Sequence, residues 1–139
     1  MVYFLAGMKG EGKTRKLIEM ANQNAKETDG NLVFIDDDKR HIHDLHRDIR
    51  FVEAGAGELA NYREFIGFVL GILAMNSDIR HIYVDGINNI LAKDVVENDC
   101  LKKMKDRLDT LAKTHHVAFT ISLHCNRDNL PEDIKAVLI

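Results

Sequence analysis

GMKGEGKT, residues 7–14, is the stretch that decides the fold of this 139-residue chain. It fits the pattern G-x-x-x-x-G-K-[ST] at every fixed position, and we call it the glycine-rich loop. An apolar run, residues 1–6, precedes the loop, and a helix-like stretch from Arg15 to Lys26 follows it. Glycines let the backbone curl until successive N–H groups point inward, and a helix start adds further unpaired N–H groups. The loop therefore predicts a nest for an anion between a strand and a helix.

The last two residues of the loop have expected contacts with a magnesium-bound polyphosphate. Lys13 would reach the β- and γ-phosphates, and the Thr14 hydroxyl would ligate Mg²⁺. The alternative is a glycine-rich turn that holds no ligand. The predicted nucleotide-binding residues are the loop, the residue after it and one distant arginine: Gly7, Met8, Lys9, Gly10, Glu11, Gly12, Lys13, Thr14, Arg15 and Arg127.

The length and composition predict a single globular domain over residues 1–139, since 45% of the residues are hydrophobic and 29% are charged. A net charge of −3 gives no general attraction to nucleic acid or anionic lipid. Cys100 and Cys125 form no C-x-x-C pair and fit a reducing compartment. The longest apolar stretch, residues 65–75, is too short to span a bilayer, and no targeting segment is visible. We expect a cytoplasmic protein that uses neither a membrane nor nucleic acid in general.

Short apolar segments rich in β-branched or aromatic residues predict buried parallel strands. Four such segments are present, at residues 2–6, 32–36, 81–85 and 117–123, and Arg50 to Glu53 is a candidate for a short edge strand. Helix-like stretches separate them. This alternation predicts an α/β fold, a three-layer α/β/α sandwich with a mainly parallel sheet.

Apolar stripes at helical spacing mark the helices. The second predicted helix has Asn61 as N-cap with Glu64 three residues later, and a last helix is expected near Pro131. Gly67 and Gly71 form a G-x-x-x-G in the second helix, for which we favour close helix–sheet packing over recognition of a partner.

Residues 81–85 form an apolar strand that ends in Asp85 and is followed by Gly86. This element resembles the Walker B strand of the P-loop NTPases, as the glycine-rich loop resembles their Walker A motif. The resemblance covers most of the chain at the level of architecture. It implies a P-loop fold, ATP with Mg²⁺ as ligand, and Thr14 and Asp85 as the metal-binding residues. The alternative is that Asp85 merely caps the turn before Gly86.

One departure concerns the reaction. Many ATPases of this superfamily have a water-activating glutamate directly after the Walker B aspartate, and here that position is Gly86. Asp36 closes the second strand at the same edge of the sheet, where the carboxylates of residues 36–38 could help to hold Mg²⁺ or one of them could act as a general base. This makes Lys13, Asp85 and Asp36 the predicted catalytic residues. We expect Asp36 to be buried and Asp38 to face solvent. A solvated acidic turn over residues 36–38 is the alternative.

The end of the last strand carries Ser122 and His124, and polar groups there resemble the γ-phosphate sensor of P-loop ATPases. The alternative, which we favour, is a strand-end histidine whose hydrogen bonds are satisfied within the fold. Arg127 is the leading candidate for an arginine that stabilises transferred charge, followed by Arg15 and Arg40. Surface cations in weak ion pairs are the alternative. For His41, His43 and His46 we favour surface or capping roles over a zinc site, because their spacing does not place them on one helix face.

Three functions are compatible with these motifs. The leading hypothesis is a slow Mg-dependent ATPase that acts alone, as a homo-oligomer or with a protein partner. The second is a small-molecule kinase, since residues 36–40 and 126–128 are loosely similar to thymidine kinase, although the zinc-binding cysteines and a lid are missing. The third is a non-enzymatic nucleotide-dependent switch or assembly factor. ATP is favoured over GTP because no N-K-x-D sequence is present.

Overall fold

The computed structural model describes residues 1–93, 95 and 99–139. Within these ranges, strands alternate with helices along the chain. The strands are β1 (Val2–Gly7), β2 (Asn31–Asp36), β3 (Ile49–Glu53), β4 (Ile79–Val84) and β5 (Ala118–His124). The helices are α1 (Lys13–Glu27), α2 (Tyr62–Met75), α3 (Ile87–Ile90), α4 (Cys100–His115) and α5 (Glu132–Lys135), with 3₁₀ turns at Ile42–Asp44 and Arg127–Asn129.

The five strands form one parallel sheet in the order β1-β5-β4-β2-β3. The prediction of an α/β fold with a parallel sheet is confirmed, and so is the edge strand β3. The last strand, β5, lies between β1 and β4, so the strand that leads into the glycine-rich loop does not neighbour the strand that leads to Asp85. On the outer side of β1, Phe4 pairs with Leu138.

Helices cover both faces of the sheet. On one face, Leu17 and Ala21 of α1 pack against a cluster that includes Phe34 and Tyr83. On the other face, α2 and α4 contribute to a larger apolar core. Because side chains alternate along a strand, the side chain two residues beyond Phe34, that of Asp36, lies on the α1 face. The same alternation places Asp85, two residues beyond Tyr83, on that face.

Local signals set the helix ends. Helix α1 begins at Lys13, two residues before the predicted start, because Gly12 adopts φ +80° and allows the chain to turn directly into the helix. Asn61 caps α2 as predicted, its Oδ1 accepting a hydrogen bond from Glu64 N at 3.1 Å. Glu64 Oε1 accepts in return from Ala60 N, one residue before the cap. Pro131 precedes the one-turn helix α5 rather than lying within its first turn.

The predicted packing role of the G-x-x-x-G is wrong. Gly67 and Gly71 lie on the exposed face of α2, and a Cβ built at either position would meet no atom within 4 Å. The face that packs on the sheet consists of large side chains, including Phe65 and Val69. Recognition of a partner by these glycines stays a prediction. No helix within the described residues is both long and apolar enough to cross a membrane.

Candidate functional site

The glycine-rich loop is a compact turn that joins β1 to α1. Gly10 and Gly12 have φ of +88° and +80°, a conformation that favours glycine. The carbonyl oxygen of Met8 accepts hydrogen bonds from Glu11 N at 3.3 Å and from Lys13 Nζ at 3.0 Å. Glu11 Oε1 accepts from Met8 N at 2.9 Å. The loop is therefore held in a curled shape by its own donors and acceptors, with Lys13 turned toward it.

The carboxylate of Asp85 joins three parts of the fold. Thr14 Oγ1 at the start of α1 donates to Asp85 Oδ2 at 2.8 Å, and Ser122 Oγ on β5 donates to Asp85 Oδ1 at 2.6 Å. Asp85 and Ser122 are both buried. The structure thus brings the loop-helix junction into contact with the acidic end of β4, although Thr14 and Asp85 are 71 positions apart in the chain.

Asp36 ends β2, the strand beside β4, and is 2% exposed. Its Oδ1 accepts from Asp37 N at 2.7 Å, whereas its Oδ2 is buried without a hydrogen-bond partner among the described residues. Burial raises the pKa of Asp36 to about 8, and the neighbouring carboxyl groups of Asp37 and Asp85 add to the rise. The expectation that Asp36 is buried and Asp38 faces solvent is confirmed, since the Asp38 side chain is 42% exposed. We call Thr14, Asp36, Asp85 and Ser122 the rim cluster.

The turn after β4 ties the neighbouring strands together. Gly86 has φ +74°, and α3 follows it. Asn88 Oδ1 accepts from His124 N at 2.9 Å and its Nδ2 donates to His124 O at 3.4 Å, which fixes the end of β5. Asn89 Nδ2 donates to Asp37 Oδ2 at 3.0 Å, which fixes the residue after β2. Sequence reasoning assigned no role to these asparagines; the only signal was two consecutive amides after an acidic strand end.

A second polar group lies on the same face, earlier along strands β4 and β5, and we call it the interior cluster: Asn24, His81, Tyr83 and Thr120. His81 Nε2 and Thr120 Oγ1 are hydrogen-bonded at 2.7 Å, and Asn24 Nδ2 donates to the Tyr83 hydroxyl at 2.9 Å. The rings of His81 and Tyr83 stack with their centroids 4.1 Å apart. Burial lowers the pKa of His81 to about 4, so this imidazole is neutral at physiological pH.

A cleft of about 780 Å³ opens beside the loop. Of the predicted nucleotide-binding residues, six line it: Lys9, Gly10, Gly12, Lys13, Thr14 and Arg15. Asp85, Ser122 and His124 line it as well. Arg40, the third arginine candidate from the sequence, also lines the cleft, together with four residues that sequence reasoning did not place there: Ile18, Glu19, His41 and Asp44. Arg127 starts the exposed turn Arg127–Asn129 and is not among the described residues that line the cleft.

The side-chain oxygens of Thr14 and Asp85 lie 2.8 Å apart and are of the type that could hold a divalent cation. Mg²⁺ typically takes one or two carboxylates together with substrate phosphates, so this donor set fits it. In the part of the chain that the structure describes, no three histidine, cysteine or acidic side chains gather into a metal site. Of the predicted histidine group, His41 and His46 lie 3.3 Å and 3.6 Å from the carboxylates of Asp44 and Asp48.

Comparison with models of protein families and with curated proteins finds no match for this chain. What the site does must therefore be argued from its own geometry, together with the motifs in the sequence.

Proposed function

We propose that this domain is a P-loop protein that binds a magnesium nucleoside triphosphate, with ATP favoured, in the cleft beside the glycine-rich loop and hydrolyses it slowly. The observation that carries the proposal is the 2.8 Å hydrogen bond between Thr14 and Asp85. It joins the last residue of the Walker A pattern to the acidic residue of the Walker B-like strand. Both residues also line the cleft, at the carboxyl ends of parallel strands where ligands of such sheets collect.

The residues of the site divide the work of binding a polyphosphate. Backbone amides of the loop and the positive end of the α1 dipole attract the phosphates. Lys13 neutralises the outer phosphate oxygens once it leaves Met8 O. Thr14 and Asp85 would hold Mg²⁺, which when bound offsets the negative charge of the phosphates.

Asp36, which is not among the described residues that line the cleft but lies near Asp85, is the proposed acceptor of the proton from the attacking water. A carboxyl group with a pKa of about 8 is ionised in about a tenth of the molecules at pH 7. A base that is mostly protonated supports slow turnover. The buried Oδ2 of Asp36 has no partner among the described residues, so accepting a proton there breaks no described hydrogen bond.

The turn after Asp85 favours a second candidate, a nucleotide-dependent switch with negligible turnover alone. Gly86 has φ +74°, and a Cβ at this position would lie 3.2 Å from Asp37 Cγ. A glutamate here would be strained and crowded. The usual water-activating side chain therefore does not fit this backbone, which supports a protein that retains its nucleotide.

Thermal-shift titration tests the binding step. We expect Mg-ATP at about 100 times its Kd to raise the Tm by roughly 10 °C. The shifts in Tm with Mg-GTP and with the diphosphates measure the preference for base and for the terminal phosphate. Lys13→Ala should lose most of the shift because it removes the cation that faces the phosphates. Lys16→Ala is the matched control, since Lys16 is an exposed lysine on the same helix. A Lys13→Ala protein that keeps the full shift contradicts the proposal.

Measurement of ADP release then separates the functions. Release without any acceptor identifies an ATPase. Release that needs a nucleoside or another small hydroxyl compound identifies a kinase. Binding with negligible release, together with an ATP-dependent change of oligomeric state or of partner binding, identifies a switch.

A further inference from the structure

We propose that Arg40 is the arginine that stabilises the outer phosphates of the bound nucleotide, and that Asp38 is the residue that orients it. The inference rests on the proposed function and assigns a role to another residue that lines the cleft. Among the candidates from the sequence, it gives Arg40 the role first considered for Arg127.

The geometry of Arg40 is set by a carboxylate two residues earlier. Asp38 Oδ1 accepts from Arg40 N at 2.9 Å and from Arg40 Nε at 3.1 Å, and Asp38 Oδ2 accepts from Arg40 Nε at 2.9 Å. These bonds fix the backbone and the base of the guanidinium together. Within the guanidinium they use Nε only, and the two Nη groups donate to no acceptor within the described residues. The guanidinium thus keeps two donor groups for a ligand while its orientation is restricted.

The segment that carries Arg40 is anchored at several points. Asn89 holds Asp37 at the end of β2. Asn22 of α1 donates to Asp44 O at 2.9 Å and accepts from His46 N at 2.7 Å. Arg40 therefore lies in a connection that is fixed on both sides, and placing its charge at the cleft costs little conformational entropy on binding.

The other arginines are less suited to this role. Arg15 and Arg40 both line the cleft and both have exposed side chains, at 87% and 70%. They differ in how they are held: Arg15 Nε lies 3.5 Å from Glu19 Oε1, whereas Asp38 accepts from both the backbone N and the Nε of Arg40. Arg127 lies outside the described lining of the cleft. A guanidinium with two unused Nη groups matches the oxygens of a phosphate in a bidentate manner, which a lysine does not.

The chemical step assigned to this arrangement is hydrolysis of the terminal phosphoanhydride. The oxygen of water forms a bond to the terminal phosphorus, and the bond from that phosphorus to the bridging oxygen breaks. The electron pair of the broken bond stays on the bridging oxygen of the diphosphate, and the proton of the water passes to Asp36. Arg40 exchanges no proton and acts by its charge on the oxygens that become more negative.

The test compares Arg40→Ala with Arg127→Ala, the matched control, in the full chain with Mg-ATP and Mg-ADP. For Arg40→Ala we expect turnover to fall by roughly 30-fold or more, because an arginine on the transferred group accelerates such reactions strongly. We also expect the preference for ATP over ADP, measured as the ratio of the two Kd values, to fall by roughly tenfold since the terminal phosphate loses a charge-assisted contact. Arg127→Ala should change neither quantity by more than about twofold, as expected for an exposed surface cation.

Two further variants separate charge from orientation. Compared with Arg40→Ala, Arg40→Lys should restore part of the preference for ATP over ADP but little of the turnover, because lysine lacks the planar pair of donors. Asp38→Asn should lower turnover by roughly fivefold to tenfold while the Tm stays within about 2 °C, since the pair is exposed.

The outcomes distinguish this inference from the function on which it rests. If the wild-type chain binds ATP but Arg40→Ala and Arg127→Ala have equal turnover and equal ratios of Kd, the role of Arg40 is overturned and the proposed function stays intact. The ratio of Kd values decides this even where turnover is undetectable. A wild-type chain that binds no nucleotide overturns both.

Discussion

The interior cluster and the rim cluster lie on the same face of the same sheet, on shared strands, and differ in how their polar atoms are paired. In the interior cluster, His81 and Thr120 bond across two neighbouring strands, and Tyr83 bonds to α1. In the rim cluster, two buried carboxyl groups, Asp36 and Asp85, lie on neighbouring strands, and Oδ2 of Asp36 lacks a partner among the described residues.

The difference separates stability from binding. A partly buried hydrogen bond stabilises the fold, and its donor and acceptor are not available to a ligand because they are already paired. Two adjacent buried carboxyl groups with an unused oxygen destabilise the ligand-free state, and a cation or a proton relieves them. We infer that the interior cluster holds α1 on the sheet, whereas the rim cluster is arranged for a ligand.

The largest effect should follow from Asp85→Asn at the rim. The change keeps the shape of the side chain but removes the charge that would hold a divalent cation, so we expect Mg-dependent turnover to fall by roughly 100-fold or more. ADP release at several Mg²⁺ concentrations measures it. Asp78→Asn, at the opposite end of the same strand, is the control and should match the wild type. Unchanged turnover in Asp85→Asn would remove the metal role from the rim.

An interior substitution should act on stability instead. Thr120→Val keeps the volume but leaves Nε2 of the half-buried His81 without its partner at 2.7 Å, so we expect a loss of about 2 kcal/mol in the free energy of unfolding. Urea denaturation measures the loss, and the Kd for Mg-ATP should stay within about twofold. If Thr120→Val instead changed the nucleotide affinity strongly and left the stability unchanged, the assignment of stability to the interior cluster and binding to the rim cluster would be wrong.

The pH dependence of stability should identify the unpaired carboxyl group. The pKa of Asp36 is higher in the folded state than in the unfolded chain, so its contribution to stability is full below pH 4 and is lost as the pH rises through 8. Asp36→Asn should therefore raise the Tm of the ligand-free protein by about 5 °C at pH 8, with the gain shrinking toward pH 4. Asp38→Asn should give no such gain, because hydrogen bonds from Arg40 lower the pKa of Asp38. A gain from Asp36→Asn that is independent of pH would contradict this account.

The smallest effect concerns the backbone between the strands. Gly86→Ala places a Cβ in a left-handed conformation and 3.2 Å from Asp37 Cγ, so we expect a loss of about 1–2 kcal/mol in the free energy of unfolding. Gly71→Ala is the matched control, since its Cβ would meet no atom within 4 Å on exposed α2, and it should stabilise the helix by up to about 1 kcal/mol. Equal values for the two variants would show that the turn tolerates a side chain.

Patterns that repeat along the chain predicted the elements well. The short apolar segments predicted all five described strands, each with its first residue within two positions of the observed one. Asn61 caps its helix as expected. The same reasoning put Gly67 and Gly71 on the sheet side, because a spacing of four does not tell which face of an apolar helix is buried. The large apolar side chains of α2, such as Phe65 and Val69, determine which face of the helix packs on the sheet.

The contacts of the site were only partly accessible from sequence. A shared sheet edge predicted that Asp36 and Asp85 lie near the loop. Strand order was not predictable, and it is β5 beside β4 that brings Ser122 to Asp85 and Thr120 to His81. The bonds of Asn88 and Arg40 depend on turns whose local geometry has no fixed sequence pattern.

The order of the strands also bears on how the chain is made. In the described sheet, β1 pairs with β5, which is synthesised more than 100 residues later. Because β5 is the described strand that pairs with β1, β1 can join the sheet only after β5 has been synthesised. During translation the nascent domain would be unable to retain a nucleotide until residues 118–124 have emerged.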